Sequence, residues 1–206
     1  MKRLYWLALI SIWFLTLTCY GQENEENKDY LITIHTEFGK IKILLFEDTP
    51  IHKENFIQLA KSGVYDHIIF HRVIDNFMIQ TGDYTTRNKP IDYIPSVIQG
   101  TIPAEIKPHH KHVRGAVGAA RYGGAENPEK RSSGTQFYII QNYNGAPHLD
   151  GKYTVFGQVM SGFQTVDKIA EVPVDERNRP VNEIRIAVDI EKVDKADVEK
   201  FYNFTY

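Results

Sequence analysis

The sequence lacks the features that mark several broad classes of protein. It has one cysteine, Cys19, so it cannot form an intrachain disulfide. Its 24 basic and 26 acidic residues give a net charge of -2, without the strong basic excess of most nucleic-acid-binding domains, and we expect no nucleic-acid partner. A G-x-S-x-G elbow, a phosphate-binding glycine loop and an H-E-x-x-H pair are absent. We therefore expect no cofactor and no metal.

The first 21 residues have the pattern of a secretory signal peptide. Lys2 and Arg3 precede an apolar run from 4 to 18, and Gly21 follows it, an order that is typical of export signals. The apolar run has about 15 residues, fewer than the roughly 20 that cross a bilayer as a helix. We interpret residues 1–21 as an export signal, with a retained anchor as the alternative, and expect no stable membrane span in the mature chain.

Cys19 leaves two routes open for the exported chain. It stands where a bacterial lipoprotein carries its lipidated cysteine, although Leu17 and Thr18 match that cleavage pattern poorly. Cleavage after Gly21 would instead discard the cysteine. We favour the second route, which gives a periplasmic or secreted protein, and keep the lipoprotein as the alternative.

The rest of the chain suits one globular domain with short flanking segments. Residues 22–29 (QENEENKD) are polar and acidic, so we expect a flexible leader there. Length and composition suit one domain, with two small domains as the alternative, and we place the domain at residues 30–194, between the leader and the tail. The tail, 195–206, carries four aromatic residues, and the sequence does not place it.

Seven or eight short strands and two helices are predicted. The run 31–46 alternates on both sides of Gly39 and predicts a hairpin. Asp48 to Gly63 predicts a helix, capped by Asp48 or Thr49, and a second helix is predicted over 161–171. The other predicted strands are 67–73, 77–82, 115–120, 135–141, 153–159 and 183–192. This set of elements is typical of a β-barrel or a β-sandwich.

The cluster H109-H-K-H112 is the one group of histidines that resembles a metal site. It follows Pro108 in a predicted loop, and no carboxylate or cysteine at a suitable spacing supports a ligand set. We interpret it as a solvated loop rich in histidine rather than as a set of metal ligands.

The stretch F70-H-R-V-I-D-N-F-M-I-Q-T-G-D83 places an arginine and a glutamine inside apolar strands. Burying either group without a partner costs several kcal/mol. Arg72 and Gln80 therefore lie either on a solvated face or in a cleft where they have a functional role.

Two of the predicted strands repeat one arrangement. Alternation with period two puts Met78 and Gln80 on one face, opposite to Phe77. In T135-Q-F-Y-I-I-Q141, Gln136 and Tyr138 share a face in the same way. An amide beside a large soft or aromatic side chain suits a groove that holds an extended peptide, and two solvated faces are the alternative.

Three motifs in order resemble the signature series of the cyclophilins. They are F70-H-R-V-I-D-N-F-M-I-Q-T-G-D83, S133-G-T-Q-F-Y-I140 and H148-L-D-G-K-Y-T-V-F-G157. The resemblance runs from about Tyr30 to Val193. It implies a mainly β fold, a closed eight-stranded antiparallel β-barrel capped by two α-helices. It also implies peptidyl-prolyl cis-trans isomerase activity on proline-containing polypeptides, which for an exported chain means assistance to protein folding.

The resemblance also implies which residues form the site. Arg72 takes the position of the family's catalytic arginine, and Gln80 would orient it. The implied substrate-binding residues are Phe77, Met78, Ala120, Arg121, Gln136, Tyr138, Leu149, His148 and Tyr153. In that set the proline ring would sit among Phe77, Met78, Tyr138 and Leu149, Gln136 would hold the peptide, and Ala120 and Arg121 would pair with its backbone.

Several positions depart from the family pattern. His148 stands where members often have tryptophan, a position that bears on cyclosporin binding, and Tyr153 replaces a common histidine. Tyr138 replaces phenylalanine, and its hydroxyl needs a partner if it is buried. A catalytically weak peptide-binding chaperone module with the same groove is the alternative function, and the presence of Arg72 argues against it.

Overall fold

The structure is a computed structural model that describes residues 25–90 and 100–206. The predicted export signal, 1–21, lies outside the described residues. The strands are β1 (Lys28–Thr36), β2 (Gly39–Leu45), β3 (Arg72–Ile74), β4 (Met78–Thr81), β5 (Thr101–Ile102), β6 (Ala116–Ala119), β7 (Ser132–Ser133), β8 (Phe137–Ile140), β9 (Val155–Ser161) and β10 (Ala187–Asp194). The helices in this part of the chain are α1 (Pro50–Lys61), α2 (Phe163–Ala170) and α3 (Lys195–Tyr202).

Eight strands form one antiparallel sheet in the order β10-β1-β2-β9-β6-β8-β4-β3, and β5 pairs with β7 separately. Within the described ranges, no ladder joins the two outer strands, β3 and β10. Single backbone hydrogen bonds do link the segments that precede them, such as the Ile186 N–H to the Ile68 carbonyl at 2.9 Å. The prediction of a mainly β fold with eight antiparallel strands is confirmed, while closure of the barrel stays a prediction.

The two faces of the sheet carry different clusters of apolar side chains. Val73, Ile79 and Ile139 are fully buried in the main core. Met78 and Ile140, their neighbours along the same strands, pack in a second cluster on the opposite face, as the period of two in a strand requires. The second cluster gives this outer face an apolar layer of its own, on which a binding site can be built.

Both predicted helices are present, with narrower bounds. α1 begins at Pro50, whose missing N–H is no loss in a first helical turn. Thr49 is the residue before it, and its side chain makes no capping hydrogen bond. Phe56 and Leu59 are buried on the inner face of α1, and Val166 is buried on that of α2. Each helix therefore covers part of the main core.

The tail contains a helix that the sequence did not predict. Val198 of α3 is 1% exposed and packs against Leu31 and Leu44. Phe201, one turn later, is 67% exposed, and Tyr202 is only partly buried against the same cluster, so Val198 is the one buried residue of the helix. A pattern this short carries little periodicity, which is why the expectation of two helices was incomplete: the described residues contain three.

Residues 25–29 of the predicted leader, 22–29, have regular structure. Glu25–Asn27 form one turn of 3-10 helix, and β1 follows at once. Asp29 is 3% exposed and its carboxylate lies 2.7 Å from the Lys53 ammonium. Across residues 25–90 and 100–206, no helix combines the length and the apolar character that a bilayer span needs.

Candidate active site

Four neighbouring strands place one row of residues on the outer face of the sheet. Arg72 of β3 lies opposite Gln80 of β4, Gln80 lies opposite Tyr138 of β8, and Tyr138 lies opposite Gly118 of β6. Residues directly opposite each other in antiparallel strands point to the same face. The register therefore brings together side chains from two of the three motifs, 70–83 and 133–140, beside the predicted strand 115–120.

A cavity of about 250 Å³ opens beside this row. Nine of the eleven predicted site residues line it: Arg72, Phe77, Met78, Gln80, Ala120, Arg121, Tyr138, Leu149 and Tyr153. The other two, Gln136 and His148, lie next to it. Oε1 of Gln136 accepts from Nε2 of Gln80 at 3.1 Å, and the His148 ring lies 5.5 Å from that of Phe77.

The guanidinium of Arg72 stands at the exposed edge of the cavity. Its side chain donates one hydrogen bond, from Nη1 to Oε1 of Gln80 at 3.4 Å. Among the described residues no carboxylate forms an ion pair with it. Arginine keeps its charge at any ordinary pH and has five N–H donors. Most of the donors of Arg72 are therefore available to a ligand in the cavity.

Gln80 connects Arg72 to two further polar side chains. Its Oε1 faces the guanidinium, which has no acceptor, so its amide nitrogen must face the other way. That nitrogen donates to Oε1 of Gln136 at 3.1 Å and to Nε2 of His71 at 3.3 Å. Burial lowers the pKa of His71, against the opposing charge of Asp83, so the imidazole is neutral and accepts. The network holds the Gln80 amide in the orientation that Arg72 needs.

Tyr138 has the buried partner that its hydroxyl needs. The hydroxyl donates to Nε2 of His112 at 2.9 Å, and Nδ1 of His112 donates to the Asp150 carboxylate at 2.8 Å. Burial lowers the pKa of His112, although Asp150 opposes the shift, and burial raises the pKa of Tyr138 far above its usual value. Both rings are therefore neutral, and the carboxylate fixes the tautomer whose Nε2 accepts.

Gly118 makes room for the Tyr138 ring. A Cβ atom at this position would lie 2.3 Å from Cζ of Tyr138 and 2.5 Å from its hydroxyl oxygen. The ring consequently lies flat over the backbone of β6, held by His112 at one end. It forms the floor of the cavity.

Residues 120–121 have fewer free hydrogen-bonding groups for a peptide than the resemblance implied. The Ala120 N–H bonds to the Gln136 carbonyl at 2.9 Å, and the Ala120 carbonyl accepts from the Ser133 N–H at 2.7 Å. The Arg121 guanidinium donates to the backbone carbonyl of Lys152 at 2.9 Å and stacks 4.6 Å from the Tyr153 ring. The Arg121 side chain thus supports the cavity wall. The N–H of Ala120 already donates a hydrogen bond within the protein and is not free to pair with a peptide.

Phe77 lies on the same side as Met78, and the prediction that it lies on the opposite face is wrong. β4 begins at Met78, and Phe77 lies in the preceding turn, where its N–H bonds to the Ile74 carbonyl at 3.2 Å. Asn76 has a positive φ of 54° in the same turn. The period of two does not extend through such a turn. Phe77 and Met78 therefore both reach the cavity, as the resemblance implied.

Four residues that contact the cavity-lining side chains, without lining the cavity themselves, were not predicted from the sequence. His71, His112, Gly118 and Asp150 touch the predicted residues, but no role in the site was predicted for any of them. Only the expectation that a buried Tyr138 hydroxyl needs a partner pointed towards them. His112 is 26 positions from Tyr138 and Asp150 is 38 from His112, so no local spacing links them.

Proteins of similar sequence carry the name peptidyl-prolyl cis-trans isomerase. Residues 31–189 match the profile of the family described as "Cyclophilin type peptidyl-prolyl cis-trans isomerase/CLD". The human peptidyl-prolyl cis-trans isomerase-like 3 is 42% identical over 158 residues, which cover 75% of this chain and 91% of that protein. The Rhizopus delemar peptidyl-prolyl cis-trans isomerase-like 2 is 44% identical over 155 residues, 74% of this chain, and the match spans only 27% of that longer protein.

Solved structures agree with these sequence matches. A crystal structure of a cyclophilin type peptidyl-prolyl cis-trans isomerase from Cryptosporidium parvum superimposes with a TM-score of 0.68 at 34% identity, covering 80% of this chain and 98% of that one. A second structure of the same protein, obtained in the presence of the dipeptide Ala-Pro, gives a TM-score of 0.66 at 31% identity, covering 78% and 98%.

Proposed function

The chain belongs to the cyclophilin-type peptidyl-prolyl cis-trans isomerases, and from that premise we propose that Arg72 is its catalytic residue and exported polypeptides are its substrates. The reaction is rotation about an X-Pro peptide bond. Its barrier is near 20 kcal/mol because resonance stiffens the C–N bond, and uncatalysed exchange takes tens of seconds or longer. Rotation forms no covalent intermediate and transfers no proton, so the enzyme has to bind the twisted amide better than the planar one.

The proline nitrogen changes character during the rotation. In the planar amide its lone pair is delocalised into the carbonyl, and it accepts hydrogen bonds poorly. In the twisted amide the conjugation is lost and the lone pair becomes available. A guanidinium beside the nitrogen therefore stabilises the transition state more than the ground state, which is the condition for catalysis.

The observation that carries the proposal is the position of the Arg72 guanidinium. It lines the cavity and, among the described residues, no acid neutralises it. A charge-assisted hydrogen bond is worth roughly 1.5–3 kcal/mol, or about one to two powers of ten in rate. An arginine bound to a carboxylate would have to break that pair before acting, and Arg72 has no such cost.

The remaining residues hold the substrate in register with Arg72. Phe77, Met78 and Leu149 supply apolar walls around the Tyr138 floor, where a proline ring is removed from water. Gln80 orients Arg72 through its 3.4 Å hydrogen bond. Gln136 bonds to Gln80 at the border of the cavity, where an extended peptide that leaves the pocket would pass it.

A protease-coupled isomerisation assay on a short X-Pro peptide tests the proposal. Arg72→Ala is expected to lower kcat/KM by about one to two powers of ten, the value of the lost hydrogen bond. Arg72→Lys is expected to recover only part of the rate, because an ammonium lacks the planar fork. Lys168→Ala, which removes an exposed cation from α2, is the control and leaves the rate unchanged. Equal rates in Arg72→Ala and the wild type would refute the role of Arg72.

Peptide binding separates this proposal from the chaperone alternative. If the wild type binds the X-Pro peptide but does not accelerate its isomerisation, and Arg72→Ala behaves in the same way, the groove serves binding alone. The proposed enzyme instead shows both binding and turnover, and Arg72→Ala loses mainly turnover.

The exported location rests on residues 1–21, and so does the proposed assistance to the folding of secreted proteins. The positive start and the apolar run that follows it support export. Mass measurement of the mature N-terminus in a bacterial host tests this: a chain that begins at Gln22 supports cleavage after Gly21. A lipid-modified Cys19 supports the lipoprotein route, and an intact Met1 in the cytoplasmic fraction contradicts export.

A further inference from the structure

The histidine-rich loop acquires a carboxylate in the folded chain. Asp48 lies in the turn between β2 and α1, and its two oxygens each meet one imidazole. Oδ2 lies 2.8 Å from Nε2 of His109, and Oδ1 lies 2.7 Å from Nε2 of His110. Asp48 is 61 positions from His109 in the sequence, which is why spacing alone indicated only a solvated loop.

The three side chains converge on one point. A ligand atom from each of them lies within 4.8 Å of the others. Around a tetrahedral Zn²⁺ with bonds of about 2.0–2.1 Å, ligand atoms stand about 3.3 Å apart. The two N–O separations are shorter than this. An ion would therefore replace the protons of these two hydrogen bonds, and each N–O separation would lengthen by roughly half an ångström.

The chemistry of the donor set selects the kind of ion. Two imidazole nitrogens and one carboxylate oxygen are ligands that suit zinc and the neighbouring transition metals, whereas Mg²⁺ and Ca²⁺ prefer oxygen alone. A carboxylate is ionised at neutral pH, so Asp48 supplies the anionic ligand of the set.

The surroundings hold two of the three ligands in place. The His110 ring stacks on Phe46 at 4.0 Å with an angle of 14° between the planes, and its side chain is only 16% exposed. The Thr49 N–H bonds to the Phe46 carbonyl at 3.4 Å, which fixes the turn that carries Asp48. His109 is 65% exposed, so it can adjust to the ion at little cost.

A second cavity, of about 380 Å³, adjoins the cluster. Its lining includes the three ligands together with Phe204 and Tyr206 of the tail, and Phe204 stacks on Phe46 at 6.4 Å. The cavity shares no lining residue with the one beside Arg72. An ion with three protein ligands would therefore have its fourth coordination position towards this second cavity.

We propose that Asp48, His109 and His110 form a binding site for a divalent transition-metal ion of the zinc class, which fastens the histidine-rich loop to the start of α1. The ion is held by three protein ligands and keeps one position for water or a small anion. Because the site is separate from the Arg72 cavity, its effect is on stability and not on isomerisation.

Calorimetric titration of the tag-free full chain with ZnCl2 tests the site, in a Cys19→Ser background that removes the thiol as a competing ligand. The expected result is one ion per chain, with MgCl2 giving no binding. His109→Ala and Asp48→Asn are expected to weaken zinc binding about tenfold or more, since changes outside the ligand shell alone cost 10–100-fold. His35→Ala, which removes an imidazole paired with Asp189 alone at 2.8 Å, is the matched control and leaves binding unchanged.

Thermal unfolding gives a second readout that does not depend on the heat of binding. Zinc is expected to raise the midpoint of the wild type and of His35→Ala, and to leave that of His109→Ala unchanged. His109 is exposed, so its removal does not threaten folding. If the wild type takes up no zinc, or if His109→Ala and Asp48→Asn bind it as tightly as the wild type, the cluster is an ordinary set of hydrogen bonds and the proposal is wrong.

Discussion

Tyr138→Phe isolates the hydrogen bond beneath the cavity. The substitution keeps the ring that floors the pocket and removes only the hydroxyl that donates to His112 at 2.9 Å. His112 is 2% exposed, so water does not easily replace the lost donor. The Nε2 atom is then left buried without a partner.

The expected cost follows from that loss. A buried acceptor without a donor costs about 1–3 kcal/mol, more than the net value of the hydrogen bond itself. In a chain of this size each kcal/mol lowers the melting midpoint by about 2–4 °C. Isomerase activity at low temperature is expected to change little, because the apolar face of the ring remains in the cavity.

Urea unfolding of the full chain measures the change. Tyr138→Phe is expected to lower the urea midpoint at constant slope, which identifies a change in stability alone. Tyr122→Phe removes a hydroxyl from a ring that is 77% exposed and serves as the control, with no expected change. A Tyr138→Phe protein as stable as the wild type would show that the contact between the hydroxyl and His112 contributes nothing, and the account of the pocket floor would be wrong.

Two further predictions concern the floor of the cavity and the buried histidines. Gly118→Ala puts a methyl group 2.3 Å from Cζ of Tyr138, so the ring must move into the cavity, and KM for an X-Pro peptide is expected to rise in the same assay. Burial lowers the pKa of His52 and of His71, against the opposing effects of Glu105 and Asp83. Below pH 6.5 the unfolded chain therefore binds protons that the folded chain does not, so stability falls as the pH falls, by at most about 1.4 kcal/mol per pH unit for each histidine. Urea midpoints measured from pH 7.5 to 5.5 check this, and constant or rising stability towards pH 5.5 would contradict it.

The sequence predicted the parts of the site that lie in continuous motifs. Arg72 and Gln80 stand on one short hairpin, and alternation places both on the face opposite Val73 and Ile79. This answers why an arginine and a glutamine occur inside apolar strands: the strands are apolar towards the core and polar towards the cavity. Local periodicity is sufficient for such a conclusion, because it depends only on the geometry of a strand.

The sequence could not predict contacts that depend on the path of the chain. Asp48 meets His109 only because β2 ends beside the loop that precedes β6, and no spacing rule relates positions 61 apart. α3 was missed for a different reason, since Val198 is its single buried anchor. In each case tertiary packing decides the structure, and a local pattern contains too few positions to show it.

Tyr138 depends on three neighbouring residues for its position, Gly118, His112 and Asp150. The Tyr138 ring lies over the backbone of β6, so the position opposite must be Gly118, where a Cβ would collide with Cζ and with the hydroxyl oxygen. Burial of that hydroxyl requires an acceptor, and His112 supplies it only in the tautomer that Asp150 fixes. The ring is thus held at its backbone and at its tip. On the proposed function, a proline ring in the cavity meets a floor that is held at both ends, so binding costs little reorganisation of the pocket.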